Sequence, residues 1–278
     1  MRLDIKKTYK LFIGGQFPRS ESGRSYEITS PRGEFLANAA QASRKDLRDS
    51  VVAARSAFSN WSSATAFNRG QILYRIAEIM EGRRDQFIAE IASCEGVTSK
   101  KSSEQVDAAI DLWVWYAGWC DKYTSIAGSQ NPIAGPFYNF TTPEPLGVVG
   151  AIADQKSSLL GLVHAIAPII TSGNCAVVIA HERAPLSAIT LGEVLATSDL
   201  HAGVVNLLTG KVSELSPWLA AHMDIDGIDL SGVARKNISE LQHVAAENLK
   251  RCHSFTGESL ERILAFTESK TVWHPIGV

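Results

Sequence analysis

The stretch Gly147-Val-Val-Gly-Ala-Ile-Ala153 decides the fold, because it begins an alternation of short apolar strands with amphipathic helices. Strands are predicted at 147–153, 176–180, 204–208 and 227–230, and helices at 159–170, 187–197 and 213–222. Helical connections of this length between apolar strands imply parallel pairing with right-handed crossovers. The sequence therefore predicts an α/β fold with a Rossmann-like, doubly wound parallel sheet.

The residues before this alternation are predicted to be mainly helical. Ser43 is expected to cap a helix whose apolar residues recur at helical spacing over 47–61, and a further apolar run extends over 72–91. Aromatic residues cluster between positions 113 and 123 at helical spacing. We assign this cluster to the core rather than to a stacking surface for bases or sugars. The Gly- and Pro-rich stretch 125–143 predicts extended or hairpin structure.

Composition excludes several classes of function. The chain has 278 residues, 45% hydrophobic content and a formal net charge of −2, so it carries no basic footprint for nucleic acid. No apolar run reaches the about 18 residues of a membrane span, and the start lacks the apolar core of a signal peptide. We expect a cytoplasmic protein. Its four cysteines show no C-x-x-C spacing, which predicts reduced packing residues rather than a zinc site or disulfides.

Several segments together resemble the aldehyde dehydrogenase superfamily. They are Leu11-Phe-Ile-Gly-Gly-Gln-Phe17, Ser30-Pro-Arg-Gly-Glu34, Ala53-Ala-Arg-Ser-Ala-Phe58 with Trp61, and Pro143-Glu-Pro-Leu-Gly-Val-Val-Gly-Ala-Ile-Ala153. The closing Ala265-Phe-Thr-Glu-Ser-Lys-Thr-Val-Trp273 is similar to the family's C-terminal segment. The resemblance implies an NAD(P)-binding-fold domain over residues 1–124 and 144–257. It also implies oligomerisation arm segments at 125–143 and 258–278.

The same resemblance implies that a domain is missing. In the family, a catalytic domain that carries the nucleophilic cysteine separates the last two matching segments. Here these segments nearly meet, between Phe255 and Lys270. We therefore expect an internal deletion, with the catalytic domain absent and both interaction arms retained.

The loop after the first predicted strand departs from the family pattern. The family usually has Pro-Trp-Asn-Phe-Pro, whose Asn donates to the oxyanion, whereas this chain has Asp154-Gln-Lys-Ser-Ser158. Lys156 stands in place of the Asn, and a long mobile ammonium cannot reproduce a short fixed amide donor. Two interpretations stay open. Either Lys156 and the next helix's N–H groups form an anion site, or Ser157 or Ser158 caps that helix and Lys156 is solvated.

Two segments that hold the cofactor in the family are also altered. Where the family has Lys-Pro-Ser-Glu, Ile179 replaces the Lys and Glu182 matches the ribose-binding Glu. Loss of such a charge-assisted hydrogen bond costs about 1.5–3 kcal/mol of binding. Where the family has Phe-Thr-Gly-Ser-Thr-x-x-Gly, Gly232 is retained and Val233 replaces the hydroxyl residue. The resemblance thus implies vestigial cofactor-binding residues at Glu182 and Gly232. We expect weakened NAD(P) binding and no firmly held cofactor.

No catalytic residue is predicted. By residue count Phe255 falls on the general-base Glu of the family's Leu-Glu-Leu-Gly-Gly motif, and only a slipped alignment would place Glu258 there. Cys252 lies near that motif rather than at the nucleophile's position, and no cysteine follows it. The sequence has no G-x-S-x-G, H-E-x-x-H or P-loop motif to supply an alternative set, and no metal site is expected.

Three functions follow as hypotheses. The first is an inactive family member, a pseudoenzyme, that acts as a structural or regulatory partner in a homo-oligomer or in a hetero-oligomer with a full-length aldehyde dehydrogenase. The second is an NAD(P)-dependent oxidoreductase acting on aldehydes in an assembly where another chain supplies the nucleophile. The third is a nucleotide or anion sensor that uses Glu182, Gly232, Lys156 and Arg235. Apolar residues near the C-terminus are expected to form the partner contact: Leu264, Phe266, Val272 and Trp273.

Overall fold

The structure is a computed structural model that describes residues 5–277. The N-terminal part has three strands, β1 (Thr8–Tyr9), β2 (Ser25–Thr29) and β3 (Phe35–Ala40). A run of helices follows: α1 (Arg44–Ser63), α2 (Ala66–Gly82), α3 (Arg84–Glu95), α4 (Ser99–Trp119) and α5 (Tyr123–Ala127). Two strands come next, β4 (Ser129–Gln130) and β5 (Phe137–Pro145).

The second half alternates strands and helices. These elements are β6 (Val148–Ile152), α6 (Leu160–Thr171), β7 (Cys175–Ile179), α7 (Leu186–Leu195), β8 (Val205–Leu208), α8 (Val212–Ala221), β9 (Gly227–Asp229), α9 (Arg235–Ala246) and β10 (Arg251–His253). The described chain ends with α10 (Glu261–Leu264) and β11 (Thr267–Pro275). Within residues 5–277, no helix combines the length and apolar character that crossing a bilayer requires.

The central sheet confirms the predicted fold class. Its five strands lie in the order β10-β9-β6-β7-β8, and each neighbouring pair is parallel. The chain runs from β6 outward to β7 and β8, and then crosses to the other side of β6 to form β9 and β10. In sheets of this kind, ligands bind beyond the carboxyl ends of the strands, at the point where the direction of winding changes.

The outer strand β10 was not predicted from the sequence. Arg251-Cys-His253 carries no apolar run, because only one of its faces packs against the core and all three residues are half-buried. It pairs with β9 in parallel, with Cys252 opposite Ile228. Periodicity therefore finds the buried interior strands and misses the polar strand at the sheet edge.

The predicted helix cap at Ser43 is present. The Ser43 hydroxyl accepts a hydrogen bond from the Asp46 N–H at 3.2 Å, and the Asp46 carboxylate accepts the Ser43 N–H at 2.7 Å. The apolar run predicted over 72–91 is not one continuous helix. It is divided at Arg83, which ends α2 and caps α3.

The aromatic cluster belongs to the core, as predicted. Trp113 and Tyr116 on α4 are fully buried, and Tyr123 on α5 is buried beside them. Trp115 and Trp119 are partly buried and pack with their rings 5.6 Å apart. Most of the aromatic surface of this cluster is therefore packed within the protein.

A separate three-stranded sheet, here called the arm sheet, contains β11, β5 and β4 in that order. Strands β11 and β5 pair antiparallel along their whole length, with Thr267 opposite Pro145 and Pro275 opposite Phe137. The stretch predicted to be extended thus pairs with the C-terminal segment that the family resemblance assigned as its partner.

The residues expected to form a partner contact divide into two groups. Trp273 is exposed and Val272 is half-buried on β11, whereas Phe266 is buried in the chain's own core. The Phe266 carbonyl accepts from the Leu146 N–H at 3.1 Å and from the Asn174 side chain at 2.8 Å. The expectation that Phe266 contacts a partner was wrong, because it anchors β11 to the central sheet.

Candidate functional site

The candidate site is a cleft at the carboxyl ends of β6 and β9, where the winding direction of the central sheet changes. A cavity of about 720 Å³ opens there, a size typical of ligand pockets. Its walls come from the loop after β6, the first turns of α6, the turn between β9 and α9, and the loop after β10. Fold topology therefore places a pocket where the sequence resemblance expects a cofactor.

The turn after β9 directs its backbone donors inward. The Ser231 N–H donates to an Asp229 carboxylate oxygen at 2.8 Å, the Gly232 N–H to the Ile152 carbonyl at 3.0 Å, and the Val233 N–H to the Leu230 carbonyl at 2.9 Å. A phosphate-binding turn instead presents such N–H groups to the ligand. These three consecutive donors are already committed within the protein.

Gly232 has a packing role in this turn. A Cβ added at this position would lie 2.0 Å from the Ala153 carbonyl oxygen, so only glycine lets the turn lie against the end of β6. The family resemblance assigned Gly232 as a vestigial cofactor-binding residue. Its close approach, however, is to backbone of the same chain.

Beneath this turn lies a buried ion pair that the sequence analysis did not predict. Arg262 Nη1 lies 3.2 Å from Asp229 Oδ2, and the two side chains are 5% and 2% exposed. The same Arg262 donates to the carbonyls of Gly257 at 2.7 Å and His164 at 3.2 Å. Burial raises the pKa of the Asp229 carboxyl, and its hydrogen bonds from Ser231 and the charge of Arg262 oppose that rise.

One sequence signal could have pointed to Asp229, since a carboxylate inside the apolar run Gly227-Ile-Asp-Leu230 requires a buried partner. Nothing local identifies Arg262 as that partner, because it lies 33 residues away in α10.

Phe255 occupies a wall of the cleft. Its ring stacks on His253 at 5.6 Å, and the Arg262 guanidinium lies 4.9 Å from the ring centroid. The Phe255 N–H donates to the Ser231 hydroxyl at 2.9 Å, and that hydroxyl in turn donates to Asp229. Phe255, which the family resemblance places at the position of the general base, is thus an apolar part of the wall.

The structure of the loop after β6 favours the interpretation in which a serine caps α6 and Lys156 is solvated. The Ser157 hydroxyl accepts from the Gly161 N–H at 3.0 Å and so satisfies one donor of the first turn of α6. Lys156 is exposed at the rim of the cleft. Its own N–H donates to the Asp154 carboxylate at 3.1 Å.

Glu182 lies in a neighbouring cavity of about 670 Å³, between the loop after β7 and the N-terminal strands. Its carboxylate accepts from the Val212 N–H at 2.9 Å and so caps α8. Ile179, at the end of β7, is fully buried and offers no polar atom. The two predicted cofactor-binding residues, Glu182 and Gly232, therefore line separate cavities that share only Gln155 and Lys156.

His181 organises the loop that carries Glu182. Its Nδ1 accepts from the N–H groups of Arg183 at 3.2 Å and Ala184 at 3.0 Å, so the ring proton lies on Nε2, which donates to the Gln155 carbonyl at 2.9 Å. Burial lowers the pKa of His181. A neutral ring with both nitrogens engaged is a structural residue.

None of the cysteines has the environment of a nucleophile. Burial raises the pKa values of Cys94, Cys120 and Cys175 to about 12 and also raises the pKa of the half-buried Cys252. All four are free thiols. Glu258 is exposed and lines a different, smaller cavity. Among residues 5–277, no group of three His, Cys, Asp or Glu side chains is arranged to hold a metal ion.

A parallel sheet with a cleft at its switch point is the architecture of the Rossmann-like class of folds. The model of the aldehyde dehydrogenase family matches residues 17–259, and the chain belongs to this family. It is 35% identical to retinal dehydrogenase 2 of Gallus gallus over 241 residues, covering 84% of this chain and 45% of that protein. It is 31% identical to omega-crystallin of Enteroctopus dofleini, covering 82% of this chain and 46% of that protein.

Among solved structures, an NAD+ complex of aldehyde dehydrogenase from Bacillus cereus superposes with a TM-score of 0.83 at 26% identity. The match covers 88% of this chain and 50% of that one. The chain therefore spans about half the length of the relatives it matches.

The residues of this cleft do not fit a dinucleotide. The donors of the turn after β9 are bonded internally, and Val233 lacks a hydroxyl. Ile179, at the end of β7, is apolar and fully buried and does not line the cavity. The first turn of α9 has no side-chain cap, so its N–H groups and the exposed Arg235 remain open to an anion. A helix N-terminus contributes only about 0.3–1 kcal/mol to the binding free energy of an anion. This contribution does not replace the hydrogen bonds of a dedicated phosphate-binding turn.

Proposed function

We propose that this chain is a non-catalytic member of the aldehyde dehydrogenase family that assembles through its arm sheet, with further copies of itself or with a complete family member. The observation that carries the proposal is the arm sheet itself. It is fully paired along β5 and β11, yet it exposes aromatic side chains. Trp273 is 60% exposed, Tyr138 is 43% exposed and Phe137 is 40% exposed. Exposed apolar groups clustered on one element are typical of an interaction surface.

The pairing register distributes these side chains over both faces of the arm sheet. Trp273 lies opposite Asn139, so it shares a face with Phe137, and the two rings lie 5.9 Å apart. Tyr138 lies opposite His274 on the other face, with its ring 5.4 Å from that of Phe140. Among the described residues, β11 pairs only with β5, which leaves its outer edge free to add a strand from another chain.

The chain's own chemistry supports a role without catalysis. The connection from β10 to β11 is short and contains only α10, so it has no room for a further domain between these two strands. The four thiols have raised pKa values, and Phe255 stands where the family has its general base. One relative, moreover, bears the name of a crystallin and not that of a dehydrogenase.

The proposal is tested with Val272→Asp combined with Trp273→Ala. Loss of an exposed aromatic anchor and introduction of a charge should weaken association by about 2 kcal/mol or more, which is roughly thirtyfold in the dissociation constant. We expect the native mass to fall to that of a single chain while the helix content measured by circular dichroism stays unchanged.

Phe67→Ala is the matched control. Phe67 is 70% exposed on α2, away from the arm sheet, so its removal deletes an exposed aromatic ring without touching the proposed interface. The control should keep the native mass of the unaltered protein. An arm variant with an unchanged native mass would contradict the proposal.

A further inference from the structure

The cleft between β6 and β9 keeps the shape of a nucleotide site but not its free polar groups. Dinucleotide sites on parallel sheets use N–H and hydroxyl donors of the turn that leads into a helix, together with polar side chains at the end of a neighbouring strand. Here the corresponding donors belong to Ser231, Gly232 and Val233. Each of their N–H groups is bonded to an acceptor of the same chain.

The hydroxyl of the turn is occupied as well. Ser231 Oγ donates to Asp229 and accepts from the Phe255 N–H, so both its donor and an acceptor site are engaged. The cation that balances Asp229 is Arg262, which is itself buried and holds the carbonyls of Gly257 and His164. The loop from Phe255 to Arg262 thus contacts the turn through the Ser231 hydroxyl and the Asp229 carboxylate.

Charge in the cleft also opposes a pyrophosphate. Asp229 and Asp154 both line the cavity, and the buried cation beside Asp229 is already paired. The remaining cations, Lys156 and Arg235, are exposed at the rim, where solvent screens their attraction for an anion. A ligand with two negative phosphates would therefore meet no unpaired buried cation among the residues that line this cavity.

The end of the neighbouring strand β7 likewise offers no free polar group to a ligand. Ile179 is fully buried and has no polar atom to offer. One oxygen of the Glu182 carboxylate accepts from the Val212 N–H, so the group serves as the cap of α8. Glu182, in the neighbouring cavity, thus also uses a polar atom to hold the protein together.

We infer that the cleft excludes NAD(P), because donor side chains are absent at positions 179 and 233 and the N–H groups of Ser231 and Gly232 are bonded within the chain. The loop 255–262 helps to hold the turn in this state through the Ser231 hydroxyl and Asp229. The inference does not depend on how the arm sheet assembles. It concerns a different surface of the molecule.

The test is titration with NADH, followed by the fluorescence of its ring and by calorimetry. We expect no saturable binding to the unaltered chain up to about 1 mM, the weak end of specific affinity. Restoring two donors with Val233→Ser and Ile179→Lys should make binding saturable, with a dissociation constant about tenfold to a hundredfold below that limit. Saturable micromolar binding by the unaltered chain would overturn the inference.

Matched variants distinguish the effect of the added hydrogen-bond donors on NADH affinity from the effect of the altered side-chain size. Val233→Ala shortens the side chain without adding a hydroxyl, and Ile179→Met adds length without a charge, so this pair should not bind. Equal affinity of the two double variants would overturn the assignment of the exclusion to these donors. Because Ile179 is fully buried, Val233→Ser is also compared alone with Val233→Ala, and a severalfold gain is expected.

Circular dichroism and native mass confirm that each protein compared is folded and assembled as the unaltered chain is. Native mass also keeps this test independent of the proposed assembly. A chain that binds NADH and still assembles contradicts only the exclusion of the cofactor, and a monomer that does not bind NADH contradicts only the assembly.

Discussion

At the scale of single residues, the Asp229–Arg262 pair is the contact whose loss should be most damaging. Both side chains are almost fully buried, and removing one leaves the other charged without a partner. We expect Arg262→Leu to lower the free energy of unfolding by about 3–5 kcal/mol, measured by urea denaturation.

Arg75→Leu provides the comparison for this prediction. Arg75 and Asp199 form an even closer pair, at 2.6 Å against 3.2 Å, but both side chains are more than half exposed. An exposed pair contributes about 0–1 kcal/mol, so the control should lose little stability. Equal losses in the two variants would show that the buried pair has no special role.

A second residue-scale prediction concerns two glycines. Gly232→Ala would place a Cβ against the Ala153 carbonyl and should destabilise the protein by about 1–3 kcal/mol. Gly118→Ala meets no atom within 4 Å and replaces an exposed glycine on α4, so it should stabilise by about 0.5–1 kcal/mol. Thermal unfolding of the two variants should therefore shift in opposite directions, and a shift in the same direction would refute the packing role of Gly232.

A third prediction follows from the raised pKa values of the thiols. Cys94, Cys120 and Cys175 are buried with pKa values of about 12, and the pKa of Cys252 is also raised. Since the thiolate is the reactive form, alkylation by iodoacetamide at pH 7 should be slower than for a free cysteine and should accelerate as the pH rises. A thiol that reacts faster than free cysteine at pH 7 would indicate an activated nucleophile. Denatured protein, in which all four thiols should react, is the control.

At the scale of elements, α1 depends on its capping box. Ser43→Ala removes the hydroxyl that accepts from Asp46 and should cost about 1 kcal/mol of stability. Ser59→Ala, at an exposed position inside the same helix, should be neutral or slightly stabilising, because alanine is the better helix former. Equal effects in urea denaturation would mean that the cap contributes nothing beyond helix propensity.

Elements with a strong local pattern could be predicted from the sequence. The interior strands β6 to β9 are apolar runs separated by helical segments. These apolar residues are buried in the structure, so the local pattern and the burial coincide. Strand β10 could not be predicted, because a polar edge strand has no such signal. The division between α2 and α3 at Arg83 was also missed, since the apolar spacing continues across it.

The candidate site was predicted only in part, for a physical reason. Gly232 and Glu182 could be placed by motif, but their contacts are with the Ala153 carbonyl and the Val212 N–H. The hydrogen-bond network around Asp229 joins residues that are distant in sequence. Such contacts cannot be predicted from a local sequence motif.

At the scale of the whole molecule, the buried residues form a core around the central sheet, whereas the arm sheet extends its aromatic side chains into solvent. Phe266 joins the two parts, because it is buried against Gly227 of β9 and its carbonyl bonds to Asn174 and Leu146. The arm sheet is thus attached to the core through Phe266, and under the proposed assembly this attachment would limit the ordering cost of binding.

The most direct test of this account is the native mass of the complex isolated from its own cells through a tag on the chain, with identification of what co-purifies. The account predicts a mass greater than one chain, made of further copies or of this chain with a complete aldehyde dehydrogenase in fixed ratio. Recovery only as a 30.1 kDa monomer would contradict it.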